Sequence, residues 1–304
     1  MEMQKYISEL PHQNAQMQKL HFELMNCASY LLFHDYYTVE QLRLISAKTC
    51  KKHLLCPFCS GRRAAKYVDK SITAVQEVLS GKHNFKPSMI TLTVKNGESL
   101  TERYLHLKNA FKSLQKRRRD YLSRGTGWTE FVNVVGGIYA YEVTNKGQGW
   151  HPHIHIFALL NNWIDQKALS EEWLSITGDS SIVGVQLVKP KVKAGGLTIE
   201  TAMLEVIKYS TKFSDMTLED TYHAFEVLRG KRLLGSFGNL RGVKVPDDLM
   251  DDPLQGLPYL ELMYGYNRSR CAYDLLNVAQ RPQSGNAGQF SCVVERSGYN
   301  MENC

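Results

Sequence analysis

The chain lacks any long uninterrupted apolar run, and its polar first residues, MEMQKYISELPHQNAQ, lack an apolar core. A helix that crosses a bilayer needs about 18 consecutive apolar residues, and a secretory signal needs a central apolar segment. We therefore expect a cytoplasmic protein with no membrane partner.

The chain lacks an even number of cysteines: it has seven, an odd number, which a complete disulfide framework would not use. Three of them, Cys50, Cys56 and Cys59, lie close together in the chain. This spacing favours metal binding in a reducing compartment over disulfide formation.

Acidic residues are fewer than basic ones: the chain has 30 Asp and Glu and 37 Lys and Arg, which gives a net charge of +7. This excess favours an anionic partner, with nucleic acid the first choice. The 43% hydrophobic and 22% charged residues suit a globular chain, whose length allows one large domain or two smaller ones.

The segment HPHIHIF, residues 151–157, predicts a β-strand with histidines on one face. Side chains alternate along a strand, so His153 and His155 point the same way as His151. Two imidazoles one strand repeat apart can hold a cation. Alternatively, the histidines lie on a solvent-exposed sheet face and hydrogen-bond to water.

A carboxylate is predicted beside these histidines. Residues 136–144 form a strand that the short loop NKGQG joins to the histidine strand as an antiparallel hairpin. The bulky face of this strand suits the core, which leaves Glu142 beside His153 and His155. Such a site suits Mn²⁺ or Mg²⁺; the alternative is that Glu142 makes an ordinary cross-strand ion pair.

The segment CKKHLLCPFCSGRR, residues 50–63, suits a structural Zn²⁺ site. Cys50, Cys56, Cys59 and His53 would make a closed tetrahedral Cys3His set. Alternatively, His53 is a bystander and the shell is completed by Cys27, His21 or His34, or the cysteines are free and buried.

The remaining pattern predicts an α+β protein with helices packed on a mainly antiparallel sheet. Apolar spacing in residues 1–50 favours helices, including residues 38–50. Further helices are expected at 62–79, 101–122, 166–178 and 198–215, and further strands at 88–96 and 181–190.

Basic residues cluster in three places. Each cluster either contacts phosphate or is an ordinary solvent-exposed charged surface. The first follows the zinc segment, the second lies on the helix at 101–122, and the third lies in RGKRLLGSFGNLRGVKV. The DNA-binding candidates are Arg62, Arg63, Lys112, Lys116, Arg117, Arg118, Arg119, Lys231 and Arg232.

The helix predicted at 198–215 carries a candidate nucleophile. Glu205 and Tyr209 are four residues apart, so they share a helix face, and Lys208 and Lys212 lie beside them. A tyrosine in such a helix is commonly a surface residue. Nearby ammonium groups favour its phenolate, however, and a divalent cation site adds weight to a catalytic role.

Five stretches in order resemble the HUH endonucleases, and more narrowly the initiator (Rep) proteins of rolling-circle plasmids with a single catalytic tyrosine. They span residues 50 to about 245. They are CPFCSGRR, ITLTV, YEVT with HPHIHIF, EVIKYSTKFSD and FEVLRGKRLLGSFGNLRG.

The resemblance implies an HUH-type central antiparallel sheet flanked by helices, with an N-terminal helical and zinc-knuckle region. We expect this N-terminal region at 1–85, with its knuckle at 50–63, and the endonuclease core at 86–216. A basic extension at 217–280 and a flexible tail at 281–304 would follow.

The resemblance also implies roles for individual residues. His153, His155 and, less uniformly among relatives, Glu142 would bind the catalytic cation, and Tyr209 would nick DNA. Glu205 would activate water at termination, while Lys208 or Lys212 would position the phosphate. The segment between Cys50 and Cys56 is one residue longer than the commoner spacing, which leaves the fourth zinc ligand open.

The implied function is nicking and closing at a plasmid double-strand origin, on locally single-stranded DNA, with host helicase and DNA polymerase as further partners. Two alternatives stay open. One is an HUH transposase or relaxase, although many such transposases carry paired tyrosines. The other is a non-catalytic zinc-containing regulator that binds DNA.

Overall fold

The structure is a computed structural model that describes residues 2–10, 14–81, 84–188, 199–209, 216–244 and 247–281, with only the backbone described at Lys208 and Tyr209. The chain divides into two compact units. One unit combines residues 3–51 with those from 248 onward, and the other comprises residues 52–247. The domain boundaries expected at 85, 216 and 280 stay a prediction, and nearly all of the tail expected at 281–304 lies outside the described residues.

The first unit is built on an antiparallel sheet with strand order β2-β1-β8-β9. Its helices are α1 (Glu2–Glu9) and α2 (Ala15–Met25). Its strands are β1 (Tyr30–Tyr36), β2 (Gln41–Ala47), β8 (Tyr259–Asn267) and β9 (Ala272–Arg281).

The helix predicted at residues 38–50 is wrong, because this segment contains strand β2. Its residues pair with β1, for example Leu42 with Asp35 and Leu44 with Phe33. Leu44 is buried at 4% exposure. Cross-strand pairing and burial therefore override a spacing of apolar residues that also fits a helix.

The second unit contains an antiparallel sheet with strand order β6-β3-β5-β4-β7. Its strands are β3 (Lys86–Thr93), β4 (Val134–Asn145), β5 (Trp150–Leu160), β6 (Val183–Leu187) and β7 (Leu234–Gly238). Its helices are α3 (Pro57–Leu79), α4 (Leu100–Arg124), α5 (Gln166–Thr177), α6 (Ile199–Tyr209) and α7 (Leu218–Leu228), with a short 3-10 helix at Glu130–Asn133. The predicted α+β class with a central antiparallel sheet is confirmed.

Helices cover the two faces of this sheet in different ways. Side chains of α3 and α6, such as Val75 and Met203, pack in one buried cluster with Phe157 and Leu159 of β5. Because side chains alternate along a strand, Phe157 shares its face with His155 and His153. We call this side, which carries Glu142, His153 and His155, the histidine face.

The opposite face of the sheet is covered by α4. The ring of Tyr104 lies 5.5 Å from that of Tyr141, and the ring of Phe111 lies 5.2 Å from that of Tyr139. Each fully buried side chain of this size stabilises the fold by about 1.5–3 kcal/mol. The bulky face of β4 therefore meets the core, as predicted, and Glu142 is left on the histidine face.

Local sequence signals place the ends of α4. The hydroxyl of Ser99 accepts a hydrogen bond from the backbone N–H of Glu102 at the first turn. Gly125 ends the helix in the left-handed conformation, with φ at 70°. Among the helices that the structure describes, none has both the length and the apolar character that crossing a membrane requires.

Candidate metal centre

The β4–β5 hairpin aligns the site. Its register places Glu142 directly opposite His153 and Ala140 directly opposite His155. The hairpin end is fixed by Gly149, since a Cβ there would lie 2.8 Å from the carbonyl oxygen of Gly97 and the backbone has φ at 85°. This close approach allows Gly97 and Trp150 to bridge, which ties the loop after β3 to the hairpin.

Both histidines turn the same nitrogen toward one carboxylate oxygen. His155 Nε2 lies 2.9 Å from Glu142 Oε2, and His153 Nε2 also contacts that oxygen. Glu142 is 7% exposed, and each histidine side chain is 13% exposed. The three side chains, which we call the Glu–His–His group, are thus largely removed from water.

The electrostatics of the group favour an ionised carboxylate. Burial alone raises the pKa of Glu142, but hydrogen bonds with His153 and His155 outweigh this effect and hold the pKa below its usual range. The group therefore presents a negative charge and two imidazoles at neutral pH.

The Glu–His–His group fits a divalent cation. Its three ligand atoms all lie within 4.8 Å of one another. One carboxylate oxygen and two imidazole nitrogens are ligands that Mn²⁺ and Mg²⁺ sites use, and three protein ligands leave positions open for water and a substrate oxygen. The buried, converging lone pairs are better matched by a cation than by packing alone.

Strand β3 and the loop after it contact His155 and His151 through the Nδ1 atoms of these rings. The hydroxyl of Thr91 lies 3.1 Å from His155 Nδ1, and Asn96 Oδ1 lies 2.6 Å from His151 Nδ1. His151 is not part of the Glu–His–His group. Burial and the neighbouring His153 ring lower the pKa of His151.

The candidate nucleophile belongs to a helix on the histidine face. Helix α6 ends at Tyr209, and its buried Met203 and Ile207 pack with sheet residues of that face. Glu205 lies one turn before Tyr209 and is partly exposed. The side chains of Lys208 and Tyr209, and the whole of Lys212, lie outside the described residues.

The basic run of α4 lies on the side of the sheet away from the Glu–His–His group. Lys112, Lys116 and Arg119 are exposed there. Arg117 is exposed too, and it forms an ion pair with Glu172 at 3.4 Å. This helix therefore cannot contact a phosphate bound at the Glu–His–His group.

Arg118 differs from the exposed position expected for it. Its guanidinium donates to the carbonyl oxygens of Val134 and Val135, at 2.6 and 3.1 Å. It also lies over the ring of Phe237. These contacts hold the start of β4 against α4, which gives Arg118 a structural role.

Two other basic candidates lie close to the histidine face. The backbone N–H of Tyr141 donates to the carbonyl oxygen of Leu233 at 2.8 Å. This antiparallel register puts the preceding residue, the exposed Arg232, beside the strand position of Glu142. On α3, Arg63 has a buried Nε with no hydrogen-bond partner among the described residues.

The other basic candidates have different surroundings. Lys231 lies over the ring of Tyr104, 5.1 Å from its centroid, on the α4 side. Burial and then Lys108 lower the pKa of Lys231. Arg62 is partly exposed near the start of α3.

The predicted zinc ligands are placed in two cysteine pairs. The backbone N–H of Cys50 donates to Cys27 Sγ at 3.4 Å. Cys56 precedes α3 as its N-cap, and Cys59 lies in its first turn. The cysteines near the N-terminus are compatible with a zinc knuckle, and we refer to Cys27, Cys50, Cys56 and Cys59 as the cysteine group.

Sequence reasoning missed Thr91 and Asn96, although both lie in or beside the predicted strand at 88–96. The available signal was the alternation of threonines in TLT, which puts hydroxyls on one strand face. Only the pairing of β3 with β5 shows which histidine a given threonine meets.

Comparison with known proteins gives one family. The sequence model of a family described as "Replication protein" matches residues 41–257. The protein named "Protein rep" of Streptococcus pneumoniae serotype 2 is 29% identical over 217 residues, which cover 67% of this chain and 64% of that protein. A "Protein rep" of Lactiplantibacillus plantarum is 26% identical over 224 residues, covering 67% and 68%. No solved structure matches the chain.

Proposed function

Because the chain belongs to the family of replication proteins, we propose that it initiates rolling-circle replication of a plasmid by nicking one strand of the origin. The proposed enzyme is a metal-dependent, site-specific single-strand DNA endonuclease and strand transferase. Origin DNA, melted locally at the nick site, is the substrate. Host helicase and DNA polymerase would act on the nicked product, in the cytoplasm.

The observation that carries this proposal is the convergence of His153 and His155 on Glu142, on the sheet face that α6 covers. A protein that only binds DNA needs neither a buried carboxylate between two imidazoles nor a helix with a tyrosine on the same sheet face. A metal-dependent phosphodiester transferase that uses a tyrosine nucleophile needs both a cation site and that tyrosine on the same side.

In the proposed reaction, the Tyr209 oxygen attacks phosphorus as the bond to the 3′ oxygen breaks. The phenolic proton is lost, and the leaving 3′ oxygen gains one. When bound at Glu142, His153 and His155, a divalent cation supplies Lewis-acid polarisation of a non-bridging phosphate oxygen. The products are a 5′-phosphotyrosine and a free 3′-hydroxyl that primes synthesis.

Basic residues would hold the scissile strand during this step. Arg232 lies beside the strand position of Glu142. Arg63, on a helix of the histidine face, has a buried Nε–H for which the described part of the chain offers no hydrogen-bond partner. Guanidinium groups bind phosphate well because they donate in a planar fork. Lys208 or Lys212 would also hold this strand, whereas Lys112, Lys116 and Arg119 of α4 would contact duplex DNA elsewhere.

The proposal is tested by incubating the protein with Mn²⁺ and single strands of candidate plasmid origins. The expected result is a cut strand whose 5′ end is attached to the protein, with the attachment mapped to Tyr209 by peptide mass spectrometry. Binding without any cutting would favour a non-catalytic regulator. Attachment through two different tyrosines would favour a transposase.

Glu205 is proposed to activate water when replication terminates. Glu205→Ala is expected to nick and rejoin origin strands at the wild-type rate but to lose hydrolytic release by about 10²–10⁴-fold, the usual contribution of a general base. Release is measured from the lifetime of the covalent adduct. Glu200→Ala, at the exposed start of α6, is the matched control, and unchanged release in Glu205→Ala would contradict the role.

The cysteine group is proposed to hold a structural Zn²⁺. The N-terminus of α3 stabilises the thiolates of Cys56 and Cys59, and the N–H of Cys50 supports a thiolate at Cys27. The purified protein is expected to contain about one zinc per chain, because four thiolates make a closed site. Metal analysis should find zinc lost in Cys27→Ser and kept in His53→Ala; the reverse result would make His53 the fourth ligand.

A further inference from the structure

Thr91 of β3 lies directly opposite His155 in the β3–β5 pairing. Its hydroxyl oxygen is 3.1 Å from His155 Nδ1, while Nε2 of the same ring is 2.9 Å from Glu142 Oε2. The imidazole is therefore held at both nitrogens, by a hydroxyl on one side and a carboxylate on the other.

We propose that Thr91 is a positioning residue that keeps the Nε2 lone pair of His155 directed at the cation, a role that rests on the proposed function. A neutral imidazole that binds a cation through Nε2 carries its proton on Nδ1. The Thr91 oxygen accepts that N–H, which fixes both the ring orientation and the nitrogen that remains free to bind.

A hydroxyl suits this place because it can act as donor or acceptor. In a neutral ring without a cation, the Glu142 carboxylate would accept from Nε2–H, so Nδ1 would have a lone pair to which the Thr91 hydroxyl donates. With a cation, the ring stays neutral and its proton resides on Nδ1, so the hydroxyl rotates and accepts. A carbonyl or carboxylate in its place could serve only the second state.

The neighbouring histidine lacks this support. His153 Nδ1 is buried and has no hydrogen-bond partner among the residues that the structure describes. Thr93 lies opposite His153 in the same register, but its hydroxyl pairs with Ser180 Oγ at 3.3 Å and with the carbonyl oxygen of Ile182 at 3.5 Å. Thr93 is therefore a matched control: it has the same residue type, strand and face, but its hydroxyl bonds to groups other than an imidazole.

The test measures Mn²⁺ affinity by calorimetry on the full-length protein without DNA. Thr91→Val keeps the shape of the side chain and is expected to weaken Mn²⁺ binding by about 10–100-fold, the usual effect of removing a partner of a metal-binding histidine. Thr91→Ser, which restores the hydroxyl, should recover most of the affinity. Thr93→Val should bind Mn²⁺ as the wild type does.

The outcomes separate the positioning role from the proposed function. Wild-type Mn²⁺ affinity in Thr91→Val, measured beside a loss of affinity in His155→Ala, would overturn the role of Thr91 and leave the cation site intact. A second outcome is that Thr91→Val weakens Mn²⁺ binding and Thr91→Ser restores it, while neither the wild type nor a variant nicks DNA. That result would support the role of Thr91 and reject the proposed nuclease activity. Equal weakening in Thr91→Val and Thr93→Val would indicate a general structural effect and overturn the proposal.

Discussion

Tyr209→Phe is expected to form no covalent protein–DNA adduct and to leave origin strands uncut, while binding them as tightly as the wild type does. The change removes one oxygen atom, so the helix and its packing through Met203 and Ile207 should persist. Loss of a nucleophile lowers turnover on the order of 10⁶-fold. Adducts are detected by gel electrophoresis with labelled strands, and binding is measured by fluorescence anisotropy.

The matched control for this variant is Tyr121→Phe, which removes a phenolic oxygen near the end of α4, on a helix across the sheet from the Glu–His–His group. It should nick as the wild type does. Cleavage by Tyr209→Phe at the normal rate would refute the assignment of the nucleophile. Loss of both cleavage and binding would instead point to a role in holding DNA.

Removal of the divalent cation is expected to have the second-largest effect. Chelation by EDTA, or the double change of His153 and His155 to alanine, should slow nicking by more than about 100-fold. Lewis-acid stabilisation contributes several kcal/mol, and about 1.4 kcal/mol corresponds to a tenfold change in rate. Mn²⁺ added back should restore the chelated protein but not the double variant.

His151→Ala is the control for the cation prediction. His151 shares the strand face but is not in the Glu–His–His group, and its Nδ1 is held by Asn96. The variant should therefore bind Mn²⁺ with wild-type affinity. Full nicking activity in EDTA would contradict a cation-dependent reaction, and lost Mn²⁺ binding in His151→Ala would make His151 a ligand.

The centre of the fold was predictable because its signals are local. Alternation in HPHIHIF predicts a strand with its histidines on one face, and a five-residue loop between two strands predicts a hairpin. The hairpin register then brings Glu142 opposite His153. The resemblance to Rep proteins, made from the same motifs, is confirmed by the family match over residues 41–257.

The errors arose where distant segments meet. Residues 41–47 have apolar spacing that fits a helix, yet they form a strand because β1 lies beside them and β8 pairs with β1 from more than 200 residues away. The sequence predicts Arg118 in an exposed basic run, but its guanidinium donates to carbonyl oxygens at the start of β4. Neither partner can be identified from the flanking sequence.

The sequence by itself determined the ligand types, the alternation that aligns two histidines, and the one-turn spacing between Glu205 and Tyr209. These depend only on backbone periodicity, which neighbouring residues set. Only the tertiary structure decided that α6 covers the histidine face while the basic run of α4 lies on the opposite side. It also decided that Thr91 supports His155 whereas Thr93 does not support His153. These relations depend on which helix packs on which face and on strand register, both of which arise from contacts between segments far apart in the chain.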